Sequence, residues 1–290
     1  MATIKDLVGN TPLVEILHLN KNSNVKVYAK MEGHNPGGSV KDRAALNMIQ
    51  QAWDRGDIHK DITLIEATSG NTGIALAMIA GTFGIPIELI MPSNSTKERT
   101  QTMEAFGAKV ILMDSIETSR DYAEAQSKKD GYFMLDQFGN KDNYLAHYTT
   151  TGPEIYRDTH GGITHFVSSM GTTGTIMGTS MYLKEQDPSI QIVGCQPQEG
   201  SSIPGIRRWS PEYLPKIFDP SRVDMVMDVS EAEAMDMAKL LALKEGIFAG
   251  VSSGGAAAMA LKLAQELRSG VIVFICCDRG DRYLSSNLFA

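Results

Sequence analysis

The sequence predicts an α/β protein with largely parallel sheets flanked by helices. Short β-branched runs alternate with longer stretches of helical periodicity along most of the 290 residues, and 42% of the residues are hydrophobic, as in ordinary globular proteins. Alternating strands and helices imply right-handed crossovers between parallel strands. The length fits one large α/β unit or two modest domains that share an interface.

In the first half of the chain, strands and helices follow one another regularly. The helix predicted over 42–55 places Ala45, Met48, Ile49 and Ala52 on one face. The other predicted elements here are strands over 25–31, 62–67, 87–91 and 109–113 and helices over 71–83, 96–106 and 116–129.

The second half repeats the rhythm with one interruption. Strands are predicted over 165–169, 191–195 and 271–276, and helices over 174–185, 231–245 and 253–268. The stretch 197–220 is rich in Gly, Pro and Ser and carries Arg207, Arg208 and Trp209. A long irregular segment of this kind is either a functional loop or a surface excursion.

Composition and charge exclude several classes of function. A net charge of −7 without a dense Lys/Arg run argues against nucleic-acid binding. No stretch approaches the ~20 apolar residues of a membrane span, and the first residues do not form a secretory signal. The three cysteines, Cys195, Cys276 and Cys277, indicate no disulfide framework and a reducing, cytoplasmic location. Scattered histidines without CxxC or HExxH predict no metal site.

Residues 37–43, GGSVKDR, place a lysine after a glycine pair at a predicted helix start. The positive end of the helix dipole disfavours an ammonium there and favours the neutral amine that Schiff-base chemistry needs. A lysine at a helix start is otherwise usually a solvated charge. Lys41 is therefore a candidate for covalent chemistry that this segment alone does not decide.

Residues 68–73, TSGNTG, lie where a predicted strand ends and a helix begins. Small hydroxyl side chains and free backbone N–H groups converge in such a turn and suit a carboxylate or phosphate. N-capping by Ser69 or Asn71 accounts for the same residues, and both roles are compatible.

Two later turns have a similar setting. Residues 171–175, GTTGT, lack both the lysine of GxxxxGK[ST] and the GxGxxG spacing, so they predict a bound monophosphate rather than a nucleotide. In 250–255, GVSSGG, the two serines either cap the following helix or hydrogen-bond a heteroaromatic nitrogen.

Taken together, seven segments resemble one enzyme family. They are VGNTPL, NPGGSVKDR, EATSGNTG, HYTTTGPEI, SSMGTTGT, GVSSGG and DRGDRYLS. In order and content they resemble the cysteine synthase branch of the pyridoxal 5'-phosphate (PLP) enzymes related to tryptophan synthase β. The pair Asp42-Arg43, Thr173, GIRRW and CDRGDRYLS are more similar to the B form (O-acetylserine sulfhydrylase B) than to the A form.

The resemblance implies a role for each candidate residue. Lys41 would hold PLP covalently and act as the base at the substrate α-carbon. Asn71 would hydrogen-bond the phenolic oxygen of the cofactor, and Ser252, rather than Ser253, would face its pyridine nitrogen. The phosphate would bind Gly171, Thr172, Thr173, Gly174 and Thr175. The substrate carboxylate would bind Thr68, Ser69, Asn71 and Thr72, with help from Gln137.

The resemblance also implies a division of the chain and an assembly. Residues 1–35 and 146–290 would form a larger domain with the phosphate loop and the pyridine-nitrogen serine. Residues 36–145 would form a smaller, mobile domain with the carboxylate loop. Both domains would have the tryptophan synthase β-like fold, and the enzyme would be a homodimer.

The implied activity is β-replacement, making L-cysteine from O-acetyl-L-serine and sulfide. Arg207 and Arg208 either attract thiosulfate, giving S-sulfocysteine, or favour O-phosphoserine as the amino-acid substrate, or are ordinary surface charges. A serine or threonine ammonia-lyase is the rival enzyme reading. A non-catalytic binder of an acyltransferase tail is the alternative from another class.

Overall fold

A computed structural model describes residues 1–68, 70–93, 95–286 and 288–289 of the protein. The strands, in chain order, are β1 (Leu13–Glu15), β2 (Val25–Met31), β3 (Thr63–Ala67), β4 (Ile87–Pro92), β5 (Lys109–Met113), β6 (Tyr132–Met134), β7 (His165–Ser169), β8 (Gln191–Pro197), β9 (Met225–Val229) and β10 (Gly270–Cys276).

The α-helices are α1 (Lys41–Arg55), α2 (Asn71–Phe83), α3 (Lys97–Ala105), α4 (Ile116–Ser127), α5 (Lys141–Ala146), α6 (Gly152–Asp158), α7 (Gly174–Gln186), α8 (Glu231–Leu240) and α9 (Val251–Glu266). Two π-helical turns, His147–Thr151 and Leu241–Glu245, connect α5 to α6 and follow α8. Short 3-10 turns lie at Ile4–Leu7, Glu32–His34, Pro211–Tyr213, Pro220–Arg222 and Gly280–Tyr283.

The strands form two sheets. One has six strands in the order β1-β2-β10-β7-β8-β9, and the other has four in the order β5-β4-β3-β6. Every pair is parallel except β1 with β2, which is antiparallel. Parallel sheets occur with both faces covered, and helices supply that cover here. The predicted α/β class with largely parallel sheets is confirmed.

The two sheets draw on different parts of the chain. Strands between 63 and 134 form the four-stranded sheet, and strands before 32 and after 164 form the six-stranded sheet. The chain therefore leaves the larger sheet after β2, builds the smaller one, and returns. Each sheet has its own hydrophobic cluster, one around Phe274 and one around Leu64.

Helices α1 and α2 are fixed by apolar burial beside the smaller sheet. Ala45, Met48, Ile49 and Ala52 of α1 are all buried, as their periodicity predicts. Gly56, with φ +78°, ends α1 in the left-handed conformation that glycine adopts without strain. Packing of these two helices places their first residues, Lys41 and Asn71, beside the end of β3.

The predicted helix over 231–245 is wrong in its last third. The α-helix ends at Leu240, and Leu241–Glu245 form a π-helical turn. Strands β1, β6 and β9 and helices α5 and α6 are absent from the sequence prediction. Strands β1 and β6 have three residues each and helices α5 and α6 have six and seven, so few residues of each carry a periodic signal.

Candidate active site

A cavity of about 480 Å³ lies at the carboxyl ends of β3 and β7, one strand from each sheet. Ligands of open α/β sheets bind at this end of the strands. The structure brings most of the sequence-predicted site residues to this cavity. Those that line it are Lys41, Thr68, Asn71, Thr72, Gln137, Gly171, Thr172, Thr175, Arg207, Arg208 and Ser252.

Three predicted residues are not among those lining the cavity. Thr173 and Gly174 belong to the 171–175 turn, but both are buried and do not line the cavity. Ser69 lies outside the described residues.

Lys41 is the first residue of α1, and the turn before it is tightly held. Val40 N donates to Cys277 O at 2.8 Å, and Lys41 N donates to Ser39 Oγ at 3.3 Å. Gly38 has φ +82°, a conformation that favours glycine. The backbone therefore fixes where the Lys41 side chain enters the cavity.

The 171–175 turn joins β7 to the start of α7. Trp209 Nε1 donates to Gly171 O at 2.8 Å, and Asn143 Nδ2 donates to Thr172 Oγ1 at 3.3 Å. Thr173 has φ +70°, and its buried Oγ1 has no hydrogen-bond partner among the described residues. The first turn of a helix also leaves backbone N–H groups without intrahelical acceptors. These donors fit a phosphate.

Both glycines of this turn are needed for packing within the protein. A Cβ on Gly171 would come within 2.5 Å of Gly205 O, and one on Gly174 within 2.0 Å of Asn143 Oδ1. The absence of a side chain at both positions lets the turn pack against two neighbouring segments.

His147, in the first π-helical turn, lies behind this turn. Its Nε2 is 3.3 Å from Thr175 Oγ1, and its Nδ1 is 2.8 Å from Thr151 Oγ1. Burial, aided by the charge of Arg43, lowers the pKa of His147 to about 3. The ring is therefore neutral at physiological pH.

The carboxylate turn leads from β3 into α2. The N-cap of α2 is Gly70, without a side-chain capping bond, and Asn71 is already inside the helix. Capping by Asn71 is therefore wrong, and the capping role of Ser69 falls outside the described residues. Thr72 Oγ1 donates to Gln137 Oε1 at 3.0 Å, which brings two predicted carboxylate ligands together.

Glu66 is a buried carboxyl behind Gln137. Its Oε2 accepts a hydrogen bond from Asp136 N at 3.1 Å, and its Oε1 lies 3.5 Å from Gln137 Nε2. Burial, followed by the nearby charge of Asp136, raises the pKa of Glu66 to about 8. Sequence reasoning missed this group, because a single glutamate near the end of a strand carries no distinguishing signal.

The two serines of the 250–255 turn have different environments. Helix α9 begins at Val251 with Gly250 as its N-cap, so capping by Ser252 or Ser253 is wrong. Ser253 is fully buried, and its Oγ accepts a hydrogen bond from Cys277 N at 2.8 Å. Ser252 lines the cavity.

The two arginines of the long loop also differ. Arg208 is ion-paired with Asp228, and its Nε donates to Pro197 O at 2.9 Å. Arg207 Nη1 donates to Ile206 O at 3.1 Å. Both line the cavity together with Arg99 and Arg120. Arg99 and Arg120 were not predicted, since they lie on helices far from the motifs.

The site also includes residues of the last motif, DRGDRYLS. Asn71 Nδ2 donates to Asp278 Oδ2 at 2.7 Å, and Arg282 donates to Asn71 Oδ1. Tyr283 OH donates to Asp278 Oδ2 at 2.7 Å. In sequence, this motif carried only the family resemblance and no assigned site residue. Its position directly after β10, at the carboxyl edge of the larger sheet, is the signal that would have indicated a site.

These features fit a monophosphate cofactor with a polar ring. The cavity is lined by a lysine, an amide, a serine hydroxyl and Gly171, Thr172 and Thr175 of the phosphate turn, and the unpartnered hydroxyl of Thr173 lies buried in the same turn. A comparison with family models agrees: residues 4–278 match the model described as pyridoxal-phosphate dependent enzyme. The chain belongs to this family. It is a PLP-dependent enzyme.

Curated members of the family match nearly the whole chain. The cysteine synthase B of Pseudomonas aeruginosa is 59% identical over 290 residues, covering 99% of this chain and 97% of the relative. The cysteine synthase B of Salmonella typhimurium is 55% identical over 292 residues, covering 100% and 96%. The solved cysteine synthase of Entamoeba histolytica has a TM-score of 0.95 at 34% identity, covering 100% and 90%.

Neither a metal cluster nor a membrane-spanning helix occurs among the residues that the structure describes. Within residues 1–68, 70–93, 95–286 and 288–289, no group of three or more His, Cys, Asp or Glu side chains is placed to hold a metal ion. Across that same part of the chain, no helix has the length and apolar character needed to cross a membrane.

Proposed function

We propose that this enzyme makes L-cysteine from O-acetyl-L-serine and sulfide. The observation that carries the proposal is one cavity in which Lys41, the 171–175 phosphate turn and the 68–72 carboxylate turn meet. The relatives named cysteine synthase B, at 54–59% identity over nearly full length, support the same activity.

The residues assigned to PLP are those that the sequence resemblance named. Lys41 would hold its aldehyde carbon, Asn71 its phenolic oxygen and Ser252 its pyridine nitrogen, and its phosphate would bind Gly171, Thr172, Thr173, Gly174 and Thr175. When bound, PLP withdraws electrons from the α-carbon of an attached amino acid. Lys41 Nζ would take the proton from that carbon and later return it.

The residues of the carboxylate turn would orient the amino-acid substrate. Thr68, Ser69, Asn71 and Thr72 would bind its carboxylate, with Gln137 beside Thr72. The first N–H groups of α2, which have no side-chain cap, would add donors to the same anion. With the carboxylate fixed, the β-acetate is held in one place for replacement by sulfur.

The sulfur donor remains part of the proposal, with thiosulfate as the alternative to sulfide. Arg207 and Arg208 favour an anion, but Arg208 is already neutralised by Asp228. Arg207 is therefore the better candidate. We expect Arg207→Ala to weaken use of thiosulfate or O-phosphoserine more than Arg208→Ala does. Equal losses with sulfide and thiosulfate would argue against anion selectivity.

The domain division, assembly and location are also proposals. Residues 36–145 would move as a smaller domain against residues 1–35 and 146–290, closing the cavity on the substrate. The enzyme would act as a cytoplasmic homodimer. Small-angle scattering with and without O-acetyl-L-serine, together with sedimentation, would test the movement and the dimer.

One set of experiments tests the activity itself. The purified protein is expected to absorb visible light through bound PLP and to form cysteine in steady-state assays. These assays pair O-acetyl-L-serine or O-phosphoserine with sulfide or thiosulfate. Lys41→Ala is expected to lose the covalent absorption band and at least about a hundredfold in rate. Production of pyruvate or 2-oxobutyrate without sulfur incorporation would instead indicate an ammonia-lyase. Tight binding of an acyltransferase tail without turnover would indicate a binder.

A further inference from the structure

The segment 277–283, directly after β10, joins the backbone of the lysine turn to that of the serine turn. Val40 N, one residue before Lys41, donates to Cys277 O at 2.8 Å. Cys277 N donates to Ser253 Oγ at 2.8 Å. Bridges between Ser39 and Asp278 and between residues 249 and 279 extend these contacts. The segment thus holds two elements of the cofactor site in a fixed relation.

The same segment holds the side chain of Asn71 from both ends. Asp278 Oδ2 accepts from Asn71 Nδ2 at 2.7 Å, and Arg282 Nη1 donates to Asn71 Oδ1. The other terminal nitrogen of Arg282 donates to Gly37 O, in the turn that leads to Lys41. A single guanidinium therefore connects Asn71 to the lysine turn.

The chemistry of the two partners fixes the orientation of the Asn71 amide. A guanidinium has donors and no acceptor, and a carboxylate accepts and does not donate. Turning the amide over would place Nδ2 against the guanidinium and Oδ1 against the carboxylate. Both hydrogen bonds would be lost and replaced by repulsions, so only one orientation is stable.

Asp278 is itself held in place. It is only 1% exposed, and Tyr283 OH donates to the same Oδ2 at 2.7 Å. Hydrogen bonds to a buried carboxylate are stronger than those between neutral groups. One N–H of Asn71 is used by Asp278, which leaves the second N–H for an acceptor in the cavity that Asn71 lines.

We propose that Asp278 and Arg282 are positioning residues that hold the Asn71 amide with its remaining N–H available to the cofactor. This proposal rests on the cofactor-binding role of Asn71 within the proposed function, and not on the identity of the sulfur donor. Neither residue needs to touch the substrate.

Asp278→Asn in the holoenzyme tests the proposal. Asparagine has nearly the same shape but both donates and accepts, so it no longer selects one orientation of Asn71. We expect the PLP dissociation constant, measured from loss of the visible band on dilution, to rise about tenfold. The absorption maximum should also shift. The matched control is Asp281→Asn in the same segment, at an exposed residue paired with Arg279. It should change the PLP dissociation constant less than about twofold and leave the absorption maximum where it is.

A double-mutant cycle separates positioning from a general structural role. Asp278→Asn is combined with Asn71→Ala, and PLP dissociation is measured for all four proteins. If Asp278 acts through Asn71, the second substitution should add little to Asn71→Ala. An equal tenfold loss in both backgrounds would overturn the proposal.

Two further outcomes are covered by the same design. If Asp278→Asn does not fold, Arg282→Lys takes its place in the cycle, because lysine keeps the charge but cannot bridge Gly37 O and Asn71 Oδ1 together. If the wild-type protein binds PLP but makes no cysteine, the proposed function fails while the cycle on PLP dissociation still decides the role of Asp278.

Discussion

The two turns proposed to bind anions are built in the same way but are supported differently. Residues 68–72 and 171–175 each follow a parallel strand and begin a helix, in the smaller and the larger sheet respectively. The 171–175 turn is packed so closely that a methyl group on Gly171 would meet backbone at 2.5 Å. The 68–72 turn is held through side chains, by Gln137 on Thr72 and by the 277–283 segment on Asn71.

The buried titratable groups behind the two turns differ as well. His147, behind the phosphate turn, has a pKa lowered to about 3. Glu66, behind the carboxylate turn, has a pKa raised to about 8. Burial keeps both neutral at pH 7, but only Glu66 changes charge close to physiological pH. With the proposed roles, the comparison predicts a rigid, pH-insensitive cofactor turn and a substrate turn that responds to pH and to side-chain changes.

The largest expected effect comes from Gly171→Ala. The added methyl cannot fit against Gly205 O, so we expect the free energy of unfolding to fall by about 3 kcal/mol and PLP to dissociate faster. Denaturant unfolding and the visible absorption band measure the two effects.

Gly81→Ala, at an exposed position of α2 where the nearest contact would be 3.4 Å, is the control. It should stabilise the protein by about 0.5 kcal/mol, because alanine favours the helix. A Gly171→Ala protein as stable as this control would show that the phosphate turn is not rigid.

A smaller effect is expected from Thr72→Val, which keeps the shape but removes the hydroxyl that bonds Gln137. The KM for O-acetyl-L-serine should rise about tenfold while the absorption of bound PLP stays unchanged. Steady-state kinetics and a spectrum of the same sample suffice. A loss of PLP with unchanged KM would reverse the roles of the two turns.

The stability of the protein should depend on Glu66 near neutral pH. Its folded-state pKa of about 8 lies above the ordinary value of 4.5, so the folded state binds this proton more tightly than the unfolded state. This stabilisation is complete below pH 4.5 and is lost as the pH rises through 8. Between these two pH values the free energy of unfolding should fall by about 1 kcal/mol per pH unit, and Glu66→Gln should remove this dependence. The free energy of unfolding of both proteins is measured from pH 5.5 to 7.5. The same pH dependence in both would mean that Glu66 is ionised throughout this range.

The smallest expected effect is on substrate binding at high pH. Ionised Glu66 places a negative charge behind Gln137 and should raise the KM for O-acetyl-L-serine about threefold between pH 7 and 9. Glu66→Gln should not show this rise. If KM rises equally with pH in both proteins, a group other than Glu66 causes the rise.

Long periodic elements could be predicted from sequence. Strands 25–31, 109–113 and 165–169 and helix 71–83 have the predicted bounds. Strands 25–31 and 165–169 and helix 71–83 carry several buried residues, so burial and local periodicity agree there, whereas strand 109–113 was predicted from its run of apolar residues alone. Strand β9 lies at a sheet edge like β5, but it was missed because Asp228 interrupts its apolar run.

For the site, sequence motifs located the lysine and the turns but not their supports. The structure adds Asp278 and Arg282 on Asn71, and Glu66 on Gln137, through contacts between residues separated by 71 to 211 positions. It also divides the roles of neighbours that look alike in sequence. Ser253 is bound to Cys277 N while Ser252 lines the cavity, and Arg208 is ion-paired with Asp228.

By itself, the sequence determined the α/β class, the position of the strand-to-helix turns proposed to hold anions, and the family resemblance from which Lys41 is proposed as the PLP lysine. These depend on local periodicity and on short motifs, which act over a few residues. Only the tertiary structure decided which side chains support those turns and which titratable groups lie buried behind them. Such contacts form when distant strands meet at one edge of a sheet, and burial there sets both their hydrogen bonds and their pKa values.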